Sequence, residues 1–572
     1  MGAFFLLRDA PGADVTARRA TLLAAMDRQG LRDPLRIDAP AGEIHLYPTL
    51  ATGAREAYVE SPQRFCLATG TMIYRRATGT AALRRFLADF AWPRIPWDEL
   101  SGQFCLLVGT PGSVCLITDR LGLYKVYRNA DASVVSSSFL AVAAAVPRRT
   151  VDPQPAYEYV FQGATFGTGT VFREVALLDA DAVLRLDAGG VTEHPLPRLP
   201  HGWRAGGVDA LLDANLAALR QYVATVAAVA GAGVSCALTG GYDSRLLLAL
   251  LREQGVQPHL YVYGADGDAD VRIARLIADG EGLALTHTDR RAGPRLDRDA
   301  FAAAVETNYQ VFDGYPVDGI LDDGADLATR RARARLGRWA LNGNGGELYR
   351  RPDLANRPYS VREVVWRFYC GFDPLDCTAA FDEQGYYAAI AAALRRALGT
   401  DAERLDRPLV SLAIPAFYYR FWVGRNCSVN NRIGRALQPF CDLPVVRESV
   451  RIPVAARAYG AFEAALIRAV DARLAAYDSA YGHDFLHPPP PALMAREWRS
   501  MVRPPVLSRY GFAPTGDARP WWLQASAIAT VVDPELPYLR RLFHLDRRFS
   551  ARRFNRICTL EYLFERTAAV LD

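Results

Sequence analysis

Apolar and polar residues alternate with the two-residue period of half-buried strands in several short segments of the first 198 residues. With turn residues between them, these segments predict a run of antiparallel strands over residues 104–108, 113–118, 124–128 and 133–138. A further strand pair is predicted at 170–178 and 182–186, joined through Asp179-Ala180-Asp181. The beginning of the chain is therefore predicted to be dominated by antiparallel sheet.

The pattern changes after residues 193–202, a stretch rich in proline and histidine that ends at Gly202 and predicts an interdomain linker. Helices are predicted beyond it at 208–230, 244–254 and 270–279, and compact apolar strands at 234–238 and 259–263. This alternation predicts a parallel sheet with crossover helices, followed by a mainly helical carboxy-terminal third. The sequence thus predicts two domains, residues 1–198 and 199–572, that combine α/β and α+β architecture.

Composition adds one restriction, because Lys125 is the only lysine among the 67 basic residues. A Walker phosphate loop, a protein kinase and a pyridoxal Schiff base each need a lysine in a defined context, which the residues around Lys125 do not supply. Any phosphate would therefore be bound by backbone amides, arginine and metal.

Charge and cysteine content predict a cytoplasmic protein that binds neither nucleic acid nor membrane. The net charge is only +5, and the basic run at 330–338 is predicted to be a solvated helix face. The nine scattered cysteines are predicted to be buried free thiols in a reducing compartment rather than zinc ligands. No signal peptide is predicted, and the apolar stretch 222–238 is broken by glycine and predicts no membrane span.

The most informative segment lies where the first strand of the predicted parallel sheet passes into a helix. Thr239-Gly240-Gly241 forms the turn, and Asp243 and Ser244 begin the helix. Two glycines permit positive φ and a close approach of a ligand to the backbone, and the amides of a helix start bind anions. A carboxylate beside phosphates is repulsive unless Mg²⁺ lies between them. The sequence therefore predicts a phosphate-binding turn with Mg²⁺.

This segment resembles the Ser-Gly-Gly-x-Asp-Ser loop of the ATP-pyrophosphatase (PP-loop) superfamily, whose members split ATP into AMP and pyrophosphate while they adenylate a substrate. Residues 341–349, Leu-Asn-Gly-Asn-Gly-Gly-Glu-Leu-Tyr, resemble the Gly-x-Gly-x-Asp-Glu loop of the asparagine-synthetase-like branch. Residues 438–442, Gln-Pro-Phe-Cys-Asp, resemble its Pro-Phe-x-Asp segment, with an ordinary core segment as the alternative. The Glu-x-Arg that precedes this segment in the family is absent.

The amino-terminal part resembles the glutaminase domain of the same enzymes. Residues 100–104 and 119–127 match its Gly-x-Phe and Asp-Arg-x-Gly-x-Lys-x-x-Tyr patterns. The resemblance implies an Ntn-type αββα sandwich, followed by an adenine-nucleotide α-hydrolase-like parallel sheet with many added helices. Gly2 stands where the glutaminases have their catalytic cysteine, and the internal Cys66 cannot combine a thiol with an N-terminal amine. The glutaminase is therefore predicted to be inactive, as in β-lactam synthetase and, in part, the lasso-peptide cyclases.

The resemblance implies a ligase that uses ATP and Mg²⁺ to adenylate a carboxylate, which ammonia or an amine then attacks. Asp243 and Glu347 would hold the Mg²⁺. The family's nucleotide-binding positions correspond to Leu238, Thr239, Gly240, Gly241, Asp243, Ser244, Tyr263, Gly264, Gly343 and Gly345.

The β-lactam-forming relatives use a lysine beside the acyl-adenylate, and residues 199–572 contain none. An arginine is expected to supply that charge, with Arg425, Arg432 and Arg435 as the candidates. Asp243, Glu347, Arg425 and Arg435 form the predicted catalytic set.

Several other residues have two interpretations. Asp270 and His287 are predicted to be an ordinary first-turn acid and a satisfied histidine. Residues 481–485 are predicted to be a surface loop, with a cover over the active site as the alternative. Lys125 is predicted to serve packing.

Three other functions remain open at this point. They are an intramolecular lactam or macrolactam cyclase, a tRNA-modifying PP-loop enzyme and a non-catalytic pseudoenzyme. The acyl substrate, a small molecule or a peptide, the amine donor and the oligomeric state are left undetermined by the sequence.

Overall fold

The computed structural model describes residues 1–8, 14–51, 57–204, 206–335, 338–350, 357–510 and 519–572. In these residues the chain has a mixed α/β fold with two six-stranded antiparallel sheets, a five-stranded parallel sheet and a two-stranded ribbon. The elements of the amino-terminal part are, in chain order, β1 (Ala3–Leu7), α1 (Val15–Arg28), β2 (Leu35–Ala39), β3 (Gly42–Tyr47), β4 (Tyr58–Ser61), β5 (Arg64–Tyr74), α2 (Gly79–Asp89), β6 (Leu100–Thr110), β7 (Ser113–Thr118), β8 (Tyr127–Asn129), β9 (Val134–Ser136), α3 (Phe139–Ala145), α4 (Pro153–Gln162), β10 (Val175–Leu177), β11 (Ala182–Asp187) and β12 (Gly190–Pro195).

The two antiparallel sheets lie face to face between helices. One has the strand order β10-β8-β9-β1-β3-β2 and the other β12-β11-β7-β6-β5-β4. Phe4 and Leu6 of β1 pack into the core shared by both sheets, and Phe5 and Leu7 pack towards α1 and α3. Helix α2 covers β4 and β5 of the second sheet. Side chains alternate between the two faces of a strand, and both faces of β1 are buried, so β1 needs apolar residues at every position. The two sheets and the helices outside them form an αββα sandwich.

The sequence-based strand pairing is partly wrong. The predicted run over 104–138 is divided between the sheets, since β6 and β7 pair with each other and β8 and β9 belong to the other sheet. The predicted pair at 170–178 and 182–186 does not form, because β10 pairs with β8 and β11 pairs with β7 and β12. The predicted linker also begins too early, because β12 extends to Pro195. Turn residues show that the chain reverses, but not which sheet the next strand joins.

The remaining elements are, in chain order, α5 (Val208–Ala230), β13 (Val234–Ala237), α6 (Tyr242–Glu253), β14 (His259–Tyr263), α7 (Ala269–Glu281), β15 (Leu285–Thr288), α8 (Arg298–Val311), α9 (Ala325–Arg333), β16 (Trp339–Leu341), β17 (Tyr359–Ser360), α10 (Val361–Phe368), α11 (Glu383–Leu398), β18 (Arg404–Leu405), α12 (Arg407–Ala413), a π-helix (Ile414–Val423), α13 (Gly424–Ile433), β19 (Ala436–Leu437), α14 (Leu443–Ser449), α15 (Val454–Arg457), α16 (Ala461–Val470), α17 (Ala472–Ala476), α18 (Pro491–Val502), α19 (Ala525–Ile528) and α20 (Ala551–Arg566).

The predicted parallel sheet is confirmed. Strands β15, β14, β13, β16 and β19 lie side by side in that order, and every neighbouring pair is parallel. The predicted helix at 208–230 and strand at 259–263 coincide with α5 and β14. Long periodic segments between turn residues were the part of this fold that local sequence specified best.

Other sequence-based expectations have mixed outcomes. All nine cysteines lie in the described part of the chain and are buried free thiols, as predicted. None of the described helices combines the length and apolar character needed to cross a membrane. The basic run is only partly a solvated face, because the Arg330 guanidinium is largely buried and bonds to Asp326, Asn426 and Asn430.

The amino-terminal and carboxy-terminal parts share buried contacts. The largest apolar core contains residues of β1, α1 and α3 together with residues of α10, α11, the π-helix and α20. The carboxylate of Asp442, just after β19, accepts hydrogen bonds from the Gly102 amide at 3.0 Å and the Ser101 hydroxyl at 3.3 Å. The segment 438–442 therefore connects the parallel sheet to β6.

Asp442 is expected to make stability depend on pH. Burial raises the pKa of Asp442 to about 7 from its usual 3.8, although the Gly102 amide and Ser101 stabilise the charged form. The folded chain therefore holds this proton more tightly than the unfolded chain. Its contribution is fully present below about pH 4 and is lost as the pH rises to 7, at up to about 1.4 kcal/mol per pH unit.

Asp442→Asn is expected to reduce the loss of stability between pH 5 and pH 7.5, measured as the shift of the thermal unfolding midpoint. The exposed Asp401→Asn is the matched control and should keep the wild-type pH dependence. An Asp442→Asn profile parallel to that of the wild type contradicts the assignment.

Candidate functional site

Two loops meet at the carboxyl edge of the parallel sheet. From β13 the chain proceeds through β14 to β15 on one side, and then returns to place β16 on the other side of β13. The turn after β13 and the loop after β16 therefore leave from neighbouring strands at the point where the strand order reverses. Open α/β sheets bind ligands at such points.

The turn after β13 is held by its own side chains. The Ser244 hydroxyl accepts a hydrogen bond from the Thr239 amide at 3.0 Å and lies 2.9 Å from the Thr239 hydroxyl. The Leu238 amide donates to the Tyr261 carbonyl at 2.9 Å and fixes the start of the turn to β14. Helix α6 begins at Tyr242, with Gly241 as its N-cap, so Asp243 and Ser244 lie in the first turn. A helix start with its unpaired amides at a sheet edge is suited to an anion.

The two glycines of the turn do not have the positive φ that the sequence suggested. Gly241 has a φ of −93°, and Gly240 is likewise outside the left-handed region. Gly240 is needed for close packing instead, because a Cβ at this position would lie 2.6 Å from the Ala480 Cβ. The Ala480 amide donates to the Gly240 carbonyl at 2.9 Å.

Gly240→Ala is therefore expected to destabilise the chain by about 1–3 kcal/mol, because the added methyl group pushes the segment at Ala480 away from the turn. Thermal unfolding measures the effect. Gly267→Ala, in the loop after β14, is the control, since a Cβ there meets no atom within 4 Å. Equal unfolding midpoints for the two variants would show that the close approach is unimportant.

Asp270 has a larger role than the first-turn acid predicted from the sequence. It lies in the first turn of α7, and its Oδ1 accepts the Gly240 amide at 2.9 Å. A carboxylate of the same chain thus already accepts the hydrogen bond of an amide in the turn that the sequence predicts to bind phosphate. An incoming phosphate oxygen would compete with Asp270 for this donor.

The loop after β16 lies against Asp243. A Cβ on Gly343 would lie 3.1 Å from the Asp243 Cβ, and a Cβ on Gly346 would lie 1.8 Å from Asp243 Oδ1. Gly345 has a φ of 105°, which favours glycine, and its amide donates to the Glu347 carboxylate at 3.1 Å. The structure thus brings the predicted residues Asp243, Gly343, Gly345 and Glu347 together.

Tyr419, in the π-helix, holds this loop in place through a hydrogen bond. Its hydroxyl donates to the Gly345 carbonyl at 2.5 Å and lies 3.5 Å from Glu347 Oε2. Burial and the Glu347 carboxylate raise the pKa of the Tyr419 hydroxyl, so it remains a donor at neutral pH. π-Helical segments occur frequently at functional sites.

Arg350 is the cation of this site. Its guanidinium forms a two-point pair with the Asp243 carboxylate, and its Nη1 also donates to Glu463 Oε2 at 2.9 Å. The Glu463 side chain is fully buried, and its Oε1 has no hydrogen-bond partner. Burial, followed by the Asp243 carboxylate, raises the pKa of Glu463 well above its usual value. Arg350 therefore lies between one partly exposed and one buried carboxyl group.

The arrangement does not suit the Mg²⁺ site predicted on Asp243 and Glu347. Both Asp243 oxygens accept hydrogen bonds from Arg350, and Glu347 Oε2 is held by the Gly345 amide. Within the described ranges no group of three or more His, Cys, Asp or Glu side chains is placed to hold a metal ion. A guanidinium stands where the sequence suggested a metal.

The arginines proposed from the sequence as substitutes for lysine lie elsewhere. Arg425 stacks on Tyr315 at 3.7 Å and donates to the Tyr127 hydroxyl at 2.8 Å. Arg432 pairs with the buried Asp313 at 3.1 Å. Arg435 lies over the Trp339 ring at 5.2 Å. The first two guanidiniums hold the carboxy-terminal helices to the amino-terminal part, and the partners of all three arginines are residues other than Asp243.

Lys125 is buried, and its ammonium group donates to backbone carbonyls of Gly122 at 2.9 Å and Arg420 at 2.5 Å. Burial lowers the pKa of Lys125 to about 7 from 10.5. The predicted packing role fits these contacts, because they connect the turn after β7 to the π-helix.

The predicted nucleotide-binding residues Tyr263 and Gly264 lie at the end of β14. The Gly264 amide donates to the Thr288 carbonyl at 3.2 Å, and its carbonyl lies 2.8 Å from His287 Nε2. His287 Nδ1 lies 3.0 Å from Arg275 Nη2, so His287 is a satisfied histidine as predicted. The Tyr263 ring faces the Arg290 guanidinium at 4.1 Å.

The segment 481–485 is a loop, as predicted from the sequence, but only Tyr481 and Gly482 are exposed. The Phe485 ring is fully buried and stacks on Tyr242 at 3.9 Å. Tyr481 is 44% exposed and lies 5.3 Å from the same ring. The segment packs directly against the start of α6.

Sequence reasoning missed Arg350, Glu463 and Tyr419. Glu463 had a detectable signal, because it is an acid among buried apolar residues in α16. A charged residue at a core position of a helix indicates a partner elsewhere in the fold. Arg350 and Tyr419 gave no comparable signal, since arginine and tyrosine are abundant throughout the chain.

No protein-family model matches the chain, and neither does any curated protein. Among solved structures, a glutamine phosphoribosylpyrophosphate (PRPP) amidotransferase from B. subtilis complexed with ADP and GMP is 10% identical, with a TM-score of 0.25. The match covers 51% of this chain and 66% of that one, just under two thirds. The structure of an allosteric regulatory enzyme of purine biosynthesis is 12% identical over 52% of this chain and 82% of that one, with a TM-score of 0.24. Similarities at this level leave the family of the chain unassigned.

Proposed function

We propose that the chain is an ATP-dependent carbon–nitrogen ligase of the asparagine-synthetase-like type, which adenylates a carboxylate for attack by ammonia or an amine. The observation that carries the proposal is the meeting of two loops at one sheet edge. The turn 239–244 presents a helix start, and the loop 343–347 lies against its Asp243. Arg350 adds a fixed positive charge beside them. An anion-binding turn next to a cation suits the phosphates of a nucleotide.

The proposed reaction has two steps. A carboxylate oxygen of the substrate attacks the α-phosphorus of ATP, and the bond from this phosphorus to the bridging oxygen breaks, so that pyrophosphate leaves with the electron pair. The nitrogen of ammonia or an amine then attacks the acyl carbon of the mixed anhydride. AMP leaves with the second electron pair, and the nitrogen loses a proton as the amide forms.

In this proposal the chain supplies positioning and charge rather than covalent chemistry. The amides that begin α6 would bind the departing pyrophosphate, together with the Gly240 amide once a phosphate oxygen displaces Asp270 from it, and Arg350 would neutralise its developing charge. Asp243 would orient the Arg350 guanidinium through their two-point pair. Mg²⁺ would accompany the phosphates of ATP rather than occupy a site built by Asp243 and Glu347.

In this proposal residues 1–198 form a glutaminase-like domain, and residues 199–572 form a synthetase-like domain. The first would act as a scaffold without glutaminase activity, since Gly2 provides no thiol. The nitrogen would then come from free ammonia or an amine-bearing substrate.

Isotope exchange between pyrophosphate and ATP tests the proposal. Purified full-length chain is incubated with ATP, Mg²⁺, labelled pyrophosphate and a panel of small-molecule and peptide carboxylates. Label is expected to enter ATP only when the cognate carboxylate is present, because exchange requires reversible adenylation. A chain that does not bind ATP in calorimetry contradicts the proposal and favours the pseudoenzyme. A mixture without carboxylate is the control for contaminating activity.

A further inference from the structure

Residues 474–485 cross the start of α6 and are fixed there by a buried arginine. Arg245 lies in the second turn of α6, and its side chain is fully buried. Its guanidinium donates to the backbone carbonyls of Leu474 at 3.3 Å, Tyr477 at 2.7 Å and Asp478 at 2.8 Å. Because the guanidinium is planar and its donors are in fixed directions, these three bonds hold the backbone of the segment in one position relative to α6.

The next residues of the segment bond to the turn 239–244 itself. The Ala480 amide donates to the Gly240 carbonyl at 2.9 Å. The Tyr481 amide donates to the Ser479 hydroxyl at 3.2 Å. The backbone of Tyr481 is therefore held beside the turn before any ligand binds.

The Tyr481 side chain extends over the beginning of α6. Its ring packs against the Tyr242 ring, with 5.3 Å between the ring centres. A Cβ on Gly241, the N-cap of α6, would lie 3.7 Å from the Tyr481 hydroxyl oxygen. This places the hydroxyl about 5 Å from the Gly241 backbone, a separation that one oxygen atom can bridge when it accepts two hydrogen bonds of about 2.7–2.9 Å. One anion at the helix start can therefore accept hydrogen bonds from both the backbone amides and this hydroxyl.

The hydroxyl is available as a donor. Among the residues that the structure describes, no group forms a hydrogen bond with it, and the side chain is 44% exposed, so a ligand can reach it from solvent. Burial raises the pKa of the Tyr481 hydroxyl, an effect that Arg350 opposes and the Asp243 carboxylate reinforces. The hydroxyl therefore stays protonated at neutral pH and can donate its proton to an anion.

A neutral donor suits the charges that surround the turn. The Asp270 carboxylate accepts the Gly240 amide, and the charge of Arg350 is shared between Asp243 and Glu463. An anion that enters here meets carboxylates as well as donors. The Tyr481 hydroxyl adds a hydrogen bond on the outer side of the turn without adding a negative charge, and hydrogen bonds to charged groups are stronger than those between neutral groups.

We propose that Tyr481 is a phosphate-binding residue, whose hydroxyl donates a hydrogen bond to the phosphate group at the start of α6. This inference rests on the proposed function for the identity of that group, which would belong to the pyrophosphate part of ATP. It goes beyond the proposed function by adding the segment that crosses α6 to the site and by naming the donor on the outer side of the turn.

Calorimetric titration of the full chain with inorganic pyrophosphate and Mg²⁺ tests the inference. Tyr481→Phe keeps the ring on Tyr242 and removes only the donor, so it is expected to weaken binding by about tenfold or more. Tyr477→Phe is the matched control from the same segment, because its hydroxyl donates to Glu281 at 2.8 Å, and it should bind like the wild type. Equal affinities of Tyr481→Phe and the wild type overturn the inference. An equal loss in Tyr477→Phe, or a wild-type chain that binds no pyrophosphate, also overturns it.

Pyrophosphate exchange separates this inference from the proposed function. Tyr481→Phe is expected to raise the KM for pyrophosphate by about tenfold or more and to leave the KM for the carboxylate unchanged, whereas a purely structural role would alter both. Exchange with the same KM for pyrophosphate in Tyr481→Phe and the wild type overturns the inference and leaves the proposed function intact. Pyrophosphate binding that is weakened in Tyr481→Phe, in a chain that catalyses no exchange with any carboxylate, supports the phosphate-binding role and overturns the proposed function.

Discussion

Asp243→Ala is expected to lower carboxylate-dependent pyrophosphate exchange by about 100-fold or more, the scale at which loss of a preorganised charge-stabilising contact affects turnover. Asp243 holds the Arg350 guanidinium at two points beside the first turn of α6. Without this carboxylate, Glu463 is the remaining acidic partner of Arg350 in the described residues and draws it towards α16, so its charge is no longer fixed at the turn. Exchange rates at saturating ATP measure the effect.

The Asp243→Ala chain is expected to fold, because the Arg350–Glu463 contact remains. Far-ultraviolet circular dichroism checks this point. Asp279→Ala, at an exposed position near the end of α7, is the matched control and should retain full activity. Undiminished or faster exchange in Asp243→Ala would show that this carboxylate only restrains Arg350, and would contradict its proposed role.

Arg350→Met is expected to destabilise the folded chain by about 3–5 kcal/mol, because it removes the cation from a buried carboxyl group. Glu463 is fully buried, and Asp243 remains beside it. Glu463 must then stay protonated to avoid an unpaired charge in the core. Because the raised pKa of Glu463 rises further without Arg350, the free energy of unfolding of Arg350→Met is expected to fall with rising pH at least as steeply as that of the wild type. Chemical denaturation at pH 6 and pH 8 measures both effects.

A double variant distinguishes this mechanism from a simple loss of packing. Glu463→Gln in the Arg350→Met background replaces the ionisable group by a neutral one of similar shape, so most of the lost stability should return and the pH dependence should disappear. Additive losses in the double variant would show that the pair is not energetically coupled.

The local sequence predicted the parallel sheet and the turn at its edge for physical reasons. β13 and β14 are short apolar runs between helices with a 3.6-residue period, and both patterns are set by which residues face the core. The turn 239–244 combines small, hydroxyl and acidic residues in a contiguous order that local chemistry can interpret. Pairing in the amino-terminal sandwich could not be predicted in the same way, because β7 and β8 are neighbours in sequence and belong to different sheets.

The charged part of the site was the least predictable. Arg350 and Glu463 are separated by more than a hundred residues, and their contact depends on how α16 packs against α6. The sequence instead favoured Arg425 and Arg435, whose positions near a family-like segment suggested a role in the site. In the fold, Arg425 lies under the amino-terminal part with Tyr315 and Tyr127.

The sequence by itself indicated the first two strands of the parallel sheet with the helices around them, the burial of the nine cysteines and a turn predicted to bind anions, because each depends on residues that are close along the chain or on composition. Only the tertiary structure decided which cation faces Asp243, which amide Asp270 occupies and which hydroxyl group lies beside the start of α6. These features arise where distant segments pack against one another, and the free energy of such contacts depends on burial and geometry that no local pattern records.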